Sequence, residues 1–254
     1  MRTKLGLLVT LALAWTITVS QAAEVKVLSA GAMKEVVLSV VPEFEKTSGH
    51  KVTFANDTVG ALARRIEGGE AFDVAVMTPA AIEALAAKGK VAAGSRVNLA
   101  QVGVGVMVKS GAPAPDISTV DAFKRALLDA KSVAYIDPAS GGSSGIYLAG
   151  LFDKLGIAEQ IKPKAKLKKG GHVADLIVSG EAELGMHQIS EIVLVKGVTL
   201  VGPLPKNVQN ITVYAAGVGA AASDAEAAKA LIKMLAGPQA AGVVSAKGME
   251  RPGS

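Results

Sequence analysis

Short hydrophobic runs alternate along the chain with segments whose hydrophobic residues recur every three or four positions. A run of four to eight apolar residues is typical of a buried strand, and the wider spacing is typical of an amphipathic helix. The first part of the chain therefore predicts strands and helices in alternation. The expected elements are strand Val25–Leu28, helix Met33–Lys46 interrupted at Pro42, strand Val52–Ala55, helix Ala61–Ile66, strand Asp73–Met77 and a helix that starts at Pro79.

Two longer β runs, Val102–Val108 and Ile211–Gly219, bracket a second alternating block. The expected elements of this block are strand Val133–Ile136, a helix after the glycine-rich loop that follows it, a lysine-rich strand, helix Val173–Val178 and strand Leu184–His187. After the second β run, the segment Asp224–Lys247 predicts two helices separated at Gly237-Pro238.

Alternation of this kind predicts parallel sheets with helices on both faces. Because the two long β runs bracket a self-contained block, we expect the chain to leave one domain and later return to it. The predicted fold is α/β, with two interleaved doubly wound lobes joined by two crossing strands and a ligand cleft between them. The expected lobe 1 comprises residues 23–103 and 213–254, and the expected lobe 2 comprises residues 104–212.

The N-terminal segment has the pattern of a secretory signal peptide. Arg2 and Lys4 precede an apolar run, Leu5–Val19, and small residues stand at Ser20 and Ala22. The apolar run falls short of the roughly 18 residues that span a bilayer, which disfavours a retained anchor. We therefore expect residues 1–22 to be removed by cleavage near Ala22 and the mature protein to be periplasmic.

Composition excludes several kinds of chemistry. The chain contains no cysteine, so disulfides, thiol catalysis and thiolate metal sites are impossible. Its three histidines, His50, His172 and His187, lack the spacing of metal ligands, and neither a metal nor a cofactor is expected. His50 is expected to be a surface turn residue. Removing Arg2 and Lys4 leaves 25 basic against 22 acidic residues, a net charge of +3. That excess is too small to indicate nucleic-acid binding.

Four loops rich in small residues open predicted helices, at positions 29–32, 56–60, 142–145 and 169–172. The first N–H groups of a helix lack intrahelical partners and lie at the positive end of the helix dipole, so they bind anions. In open α/β sheets such loops meet beyond the carboxyl ends of the strands. Each loop alone is explained by ordinary turn and cap chemistry, but two in each half favour one shared anion-binding cleft.

Basic residues near these loops have two interpretations each. Four lysines alternate with other residues, and a period of two places them on one face of a strand, either solvated or drawing anions toward Gly170 and Gly171. Arg64 and Arg65 are either solvated or available to a carboxylate. His172 either caps a helix or faces a ligand. The four lysines are Lys162, Lys164, Lys166 and Lys168.

The segment 141–145 also fits the G-x-S-x-G pattern of a hydrolase nucleophile. That alternative makes Ser143 the nucleophile, His187 the base and Glu181 the residue that orients it. A nucleophile elbow turns directly off its strand, whereas residues 137–142 separate Ser143 from Ile136. The hydrolase is therefore the less favoured hypothesis.

Several short motifs, together with the export signal and the element order, make the chain similar to the periplasmic solute-binding proteins of ABC importers, specifically the molybdate-binding type. The similarity spans nearly the whole mature chain. The motifs are Phe54-Ala55, Leu62–Gly69, Asp73, Asp137-Pro138, Gly145–Tyr147, Leu155-Gly156, Glu181–Gly185 and Gly237–Ala241.

The resemblance implies two lobes that close on a dehydrated oxyanion, held by serine hydroxyls, backbone N–H groups and one tyrosine hydroxyl. This chain has Ala32 where a serine is expected and Gln188 at the tyrosine position. Because the amide also offers an acceptor, which a fully ionised oxyanion does not need, a small organic carboxylate is an alternative ligand. The matching positions are Ser29, Gly31, Ala32, Thr58, Val59, Gly60, Ser143, Ser144, Gly170, Gly171 and Gln188.

From residues and resemblance together, we expect a monomeric periplasmic protein that is not an enzyme. It would capture a small anion, molybdate or tungstate by resemblance, and deliver it to an ABC permease in the inner membrane. The alternatives are capture of a small carboxylate in the same fold, serine hydrolysis at Ser143, and binding for sensing or adhesion without transport.

Overall fold

The computed structural model describes residues 22–253. The predicted signal peptide, apart from Ala22, therefore lies outside the described residues. Among the helices of residues 22–253, none is both long and apolar enough to cross a membrane.

Within the described chain, nine strands form one continuous sheet in the order β2-β1-β3-β9-β4-β7-β5-β6, with β8 paired to β4. Strands β1, β2 and β3 are parallel, as are β5, β6 and β7, whereas β9 and β4 run antiparallel to their neighbours. The strands are β1 (Glu24–Ala30), β2 (Lys51–Asp57), β3 (Val74–Met77), β4 (Val97–Lys109), β5 (Val133–Ile136), β6 (Ala165–Lys168), β7 (Leu184–Gln188), β8 (Val198–Pro203) and β9 (Ile211–Val218).

Helices follow most of the strands, as the alternating pattern predicts. Several begin at a side-chain cap: Thr58, Thr119 and Asp224 each accept a hydrogen bond from a backbone N–H in the first helical turn. The helices are α1 (Lys34–Ser48), α2 (Val59–Glu67), α3 (Pro79–Ala87), α4 (Val120–Asp129), α5 (Ser143–Lys154), α6 (Ala158–Ile161), α7 (Ala174–Val178), α8 (Ile189–Ile192), α9 (Ala225–Ala236) and α10 (Ala241–Ala246).

Buried apolar side chains form separate cores toward the two ends of the sheet. One set comes from residues 25–102 and 214–249, and we call the part of the chain built around it lobe 1. The other set comes from residues 104–204 and defines lobe 2. The exact lobe boundaries given by the sequence stay a prediction.

Strand β4 links the two lobes. Its residues 97–103 pair with β9 in lobe 1, and its residues 104–108 pair with β7 in lobe 2. Between these parts, Gln209 donates a hydrogen bond from Nε2 to the carbonyl of Val104 and accepts one at Oε1 from the same residue's N–H, both at 2.9 Å. The α/β architecture with crossing strands is thus confirmed.

Two local predictions were wrong. Pro42 does not interrupt its helix: α1 runs unbroken through it, with Val40 and Phe44 buried in the lobe 1 core. This packing offsets the hydrogen bond that proline cannot donate. His50 is not a surface turn residue, because its ring is buried, stacks on Phe44 and accepts a hydrogen bond from the N–H of Ala23.

The four lysines do not share one strand face. Lys162 and Lys164 lie in a 3₁₀ turn that contains Pro163, and only Lys166 and Lys168 lie on β6. Proline fixes φ near the value this turn needs. Lys164 donates to two main-chain carbonyls at 2.6 and 2.7 Å, and Lys168 pairs with Asp175 at 2.9 Å, which argues against a free field of four charges.

Two glycines of α5 predict opposite effects of substitution by alanine. A Cβ at Gly145 would collide with the carbonyl oxygen of Ile136, whereas nothing lies within 4 Å of a Cβ at Gly150. We expect Gly145→Ala to lower the free energy of unfolding by about 1–3 kcal/mol, and Gly150→Ala to raise it by about 0.5–1 kcal/mol. Urea unfolding of both variants measures the difference, and equal effects would contradict the packing described.

Candidate functional site

A small, partly open cavity of ≈30 Å³ lies between the two lobes. Four strands end at it, since Ala30, Asp57, Ile136 and Gln188 are the last residues of β1, β2, β5 and β7. This is the carboxyl edge of the parallel strands, where α/β sheets bind ligands. The lining residues are Ala30, Gly31, Ala32, Asn56, Asp57, Thr58, Val59 and Tyr214 from lobe 1 and Ile136, Gly142, Ser143, Ser144, Gly171, His187, Gln188 and Glu191 from lobe 2.

The structure brings most of the predicted site positions to this cavity. Three do not line it. Ser29 is fully buried, and its hydroxyl donates to the carbonyl of Ala30. Gly60 lies at the rim, where its N–H bonds to Gly141 across the cleft, and a Cβ added at Gly170 would lie 3.5 Å from Asp57 Oδ1. The predicted positions that line the cavity are Gly31, Ala32, Thr58, Val59, Ser143, Ser144, Gly171 and Gln188.

Hydroxyl and amide groups from both lobes form a hydrogen-bond chain along one wall. The hydroxyls of Ser143 and Tyr214 are 3.1 Å apart, and Gln188 Nε2 donates to Ser143 Oγ at 3.2 Å and to Thr212 Oγ1 at 3.0 Å. Burial raises the pKa of Tyr214, so its hydroxyl stays protonated. Because the buried oxygen Gln188 Oε1 has no partner among the described residues, it is free to accept a hydrogen bond from a ligand.

Glu191 is a cavity-lining residue that sequence reasoning missed. It lies in α8, the single helical turn that follows β7, and its side chain is 10% exposed. A Cβ on Gly31 would lie only 2.6 Å from Glu191 Oε1, so this carboxyl occupies space that only glycine leaves free. Burial raises the pKa of Glu191 to about 8, and Lys34 lowers it slightly. The cleft therefore contains a carboxyl that titrates near neutral pH.

His187 is the immediate neighbour of this carboxyl. Its Nε2 lies 3.3 Å from Glu191 Oε2, and its side chain is 3% exposed. Burial, with a smaller contribution from the charge of His172, lowers the pKa of His187 to about 3. At neutral pH the imidazole is therefore uncharged, and its Nδ1 is buried without a partner in the described chain.

The hydrolase arrangement predicted as an alternative does not form. Ser143 bonds to Tyr214 and Gln188, His187 faces Glu191, and Glu181 is exposed and accepts a hydrogen bond from Ser179 at 2.9 Å. Ser143 also begins α5 after a separate 3₁₀ turn and does not stand on a strand-to-helix elbow.

Three hydrogen bonds close the mouth of the cleft, and we call their residues the clasp (Thr58, Gly60, Arg64, Ser140 and Gly141). Thr58 Oγ1 donates to the carbonyl of Ser140 at 2.6 Å, and Arg64 Nη2 donates to the same oxygen at 3.3 Å. Gly60 N–H donates to the carbonyl of Gly141 at 3.0 Å. Arg64 thus bridges the lobes, whereas its neighbour Arg65 is held by Glu70 at 2.6 Å.

The two shifted pKa values predict a pH-dependent stability. Between about pH 4.5 and 8, Glu191 holds a proton in the folded protein and releases it on unfolding, so stability falls as pH rises. Between about pH 3 and 6.5, His187 has the opposite effect, because only the unfolded state binds its proton. The Glu191 contribution is therefore unopposed by His187 between pH 6.5 and 8.

We expect Glu191→Gln to remove this contribution. Relative to the variant, the wild-type protein should lose up to about 1.4 kcal/mol of unfolding free energy per pH unit in that window. Urea unfolding of both proteins from pH 6.5 to 8 measures the difference. Parallel curves would contradict a raised pKa at Glu191.

Of the missed residues Glu191 and Tyr214, only Glu191 left a signal in the sequence. Glu191 stands four residues after His187 inside the largely apolar segment Ile189–Leu194. Burial of a carboxylate among apolar side chains is costly, so its presence in such a segment is a signal. Tyr214 places a tyrosine hydroxyl at the cavity from β9, whereas the resemblance implies one at position 188. Because 71 residues separate Tyr214 from Ser143 in the sequence, no local pattern could predict the contact between their hydroxyls.

Comparison with known proteins gives one family and two kinds of relative. The family model for bacterial extracellular solute-binding proteins matches residues 25–250. A Pseudomonas sp. protein named aconitate isomerase is 37% identical over 230 residues, 88% of this chain and 86% of that protein. The molybdate-binding protein ModA of Azotobacter vinelandii is 30% identical over 246 residues, 90% of each chain. The solved structure of the Azotobacter vinelandii periplasmic molybdate-binding protein superimposes with a TM-score of 0.75 at 19% identity, over 90% of this chain and 99% of that one.

These findings correct one prediction and confirm another. The prediction that the protein is not an enzyme is wrong in the light of the 37% identical relative, which is named as an isomerase. The predicted resemblance to periplasmic solute-binding proteins is confirmed by the family match and by the shared fold. With a family model that covers residues 25–250, the chain belongs to the bacterial extracellular solute-binding proteins.

Proposed function

We propose that the protein interconverts the isomers of a small unsaturated polycarboxylic acid of the aconitate type, bound between its lobes. The observation that carries this proposal is the carboxyl of Glu191, which lies in the closed cleft with a pKa raised to about 8. A carboxyl that changes protonation near neutral pH is suited to moving protons to and from carbon. The name of the 37% identical relative supports the substrate class.

The chemistry of such an acid needs only one proton to move. Aconitate is a propene with a carboxylate on each carbon, so one end carbon is a CH₂ and the other is the CH of the double bond. Removing a proton from the CH₂ and adding one to the CH carbon shifts the double bond. The product is again an aconitate, and its geometry is cis or trans according to the conformation at the moment of transfer.

The cleft offers groups for each part of this reaction. Neutral donors at one wall, the hydroxyls of Ser143 and Tyr214 and the first N–H groups of α5, suit a carboxylate that gains charge as the C–H bond breaks. Glu191 faces the same cavity and takes and returns the proton. None of the described lining residues is a lysine or arginine, so the recognition rests on hydrogen bonds and helix dipoles.

Enclosure of the cleft supports proton transfer at carbon. The clasp narrows the mouth, which limits the access of water and strengthens the hydrogen bonds inside. A ligand with three carboxylates needs more room than the ≈30 Å³ of the closed cavity. We therefore expect the lobes to part for ligand entry and to close again around the bound acid.

Binding of a molybdate-type oxyanion is the second candidate, because the 30% identical relative is named for it. Delivery to an ABC permease, a periplasmic location and a monomeric state stay predictions that the solute-binding family makes reasonable.

The proposal is tested by ligand panel and turnover together. Thermal-shift measurements compare cis-aconitate, trans-aconitate, molybdate, tungstate, sulfate and phosphate, and we expect only the tricarboxylates to raise the melting temperature. Proton NMR then follows a solution of trans-aconitate with the protein, in which we expect the cis resonances to grow. A shift with molybdate alone, and no change in the aconitate spectrum, would overturn the proposal.

A further inference from the structure

The two oxygens of the Glu191 carboxyl lie in different surroundings. Oε2 is 3.3 Å from His187 Nε2. Oε1 lies over the backbone of Gly31, where an added Cβ would approach it to 2.6 Å. One oxygen is therefore engaged within lobe 2, whereas the other points across the cleft toward lobe 1.

Among residues 22–253, no hydrogen bond of its side chain explains the burial of His187. Its ring lies on the central strand β7, opposite Gly105 of β4, and is 3% exposed. Buried imidazoles usually pair both nitrogens, but Nδ1 of His187 has no partner among residues 22–253. Leaving such an atom unpaired is destabilising. The contact with Glu191 is the polar interaction that its side chain does make.

We infer that His187 is a positioning residue, which donates its Nε2–H to Glu191 Oε2 and leaves Oε1 as the atom that exchanges a proton with the ligand. In the reaction, the proton of the ligand CH₂ goes to Oε1, and the electron pair of that C–H bond enters the conjugated double bond. The Oε1–H then returns the proton to the other end carbon and restores the carboxylate. His187 keeps its proton throughout.

This inference rests on the proposed function for its kinetic consequence only, because the 3.3 Å contact between His187 and Glu191 belongs to the protein without ligand. Other groups act on the pair: Lys34 from α1 and Tyr214 from β9 interact with Glu191, and His172 from the 169–172 loop interacts with His187. Asp57, at the end of β2, also lines the cavity. These four groups, Lys34, Tyr214, His172 and Asp57, are unchanged when only residue 187 is substituted.

Two substitutions separate positioning from packing. His187→Leu keeps apolar bulk and removes the donor, whereas His187→Gln keeps an N–H at nearly the same place and cannot titrate. Carbon NMR of protein labelled at the glutamate carboxyls gives the pKa of Glu191 in each, with Glu191→Gln to assign the signal. Because a donated hydrogen bond stabilises the carboxylate, we expect the pKa to rise by about one unit in His187→Leu and to stay near wild type in His187→Gln.

The kinetic arm uses aconitate turnover as a function of pH. We expect His187→Leu to lower kcat by about tenfold or more, with KM changed much less, and to move the rising limb of the pH profile to higher pH. His187→Gln should restore both the rate and the profile.

An unmoved Glu191 pKa in His187→Leu would overturn the inference. If that variant does not fold, nitrogen NMR of the wild-type imidazole decides, and an Nδ1–H tautomer would overturn it. Absence of turnover in the wild-type protein would instead overturn the proposed function and leave the titration result intact.

Discussion

Glu191→Gln should lower the rate of aconitate isomerisation by a factor of about 10²–10⁴, the usual contribution of a general acid–base group. The amide keeps the size of the side chain and a hydrogen-bonding oxygen, but it cannot accept a proton from carbon. Because burial raises the pKa of Glu191 to about 8, the wild-type kcat/KM should increase with pH up to that value. Initial rates from pH 6 to 9, followed by proton NMR, measure both effects.

Glu181→Gln is the matched control for this variant. Glu181 is exposed, and its carboxylate accepts a hydrogen bond only from nearby Ser179 among the described contacts. The same chemical change should therefore alter stability by no more than about 0.5 kcal/mol and leave the rate unchanged. If both variants lose activity equally, or if Glu191→Gln retains the wild-type rate and pH profile, Glu191 is not the proton-transfer group.

Gly60→Ala should have the second-largest effect, because it acts on the clasp. The lobes meet there backbone to backbone: a Cβ on Gly60 would lie 2.7 Å from Gly141 Cα, far inside contact distance. The lobes would have to stay apart at the mouth and lose the hydrogen bond from Gly60 N–H to the carbonyl of Gly141. Since a misplacement of about 1 Å can cost roughly 10²-fold in rate, we expect kcat/KM to fall by about that factor.

Small-angle scattering with and without ligand checks the cause of this loss. Wild-type protein should become more compact when aconitate binds, and Gly60→Ala should compact less. Gly242→Ala in α10 is the control, because nothing lies within 4 Å of a Cβ there. A Gly60→Ala protein with wild-type compaction and wild-type kcat/KM would show that the clasp does not govern closure.

Much of the fold could be predicted from the sequence because the signals are local. Strands such as β5 are short apolar runs, and caps such as Thr58 mark helix starts. Pro42 was misjudged because its local cost is outweighed by the burial of Val40 and Phe44, which only the assembled lobe supplies. The lysine-rich segment was misjudged because Pro163 favours a turn over a strand.

The site could be predicted only in part, for the same reason. Loop residues such as Ser143 and Thr58 carry helix-start signals, and the topology brings them together at the strand ends. Glu191 and Tyr214 carry no such signal, because each acquires its role from burial against the opposite lobe. Burial, which sets the pKa of Glu191, is a property of the closed tertiary structure. The expectation of a protein without enzymatic activity followed from the resemblance to binding proteins, and the 37% identical relative named as an isomerase contradicts it.

The most direct test of the central claim starts from each pure isomer. Two samples of the wild-type protein, one with cis-aconitate and one with trans-aconitate, are followed by proton NMR at pH 8. The account predicts that both samples reach the same ratio of isomers, and that neither changes at a comparable rate with Glu191→Gln. Two samples that keep their starting isomer, although thermal shifts show that the acid binds, would contradict it.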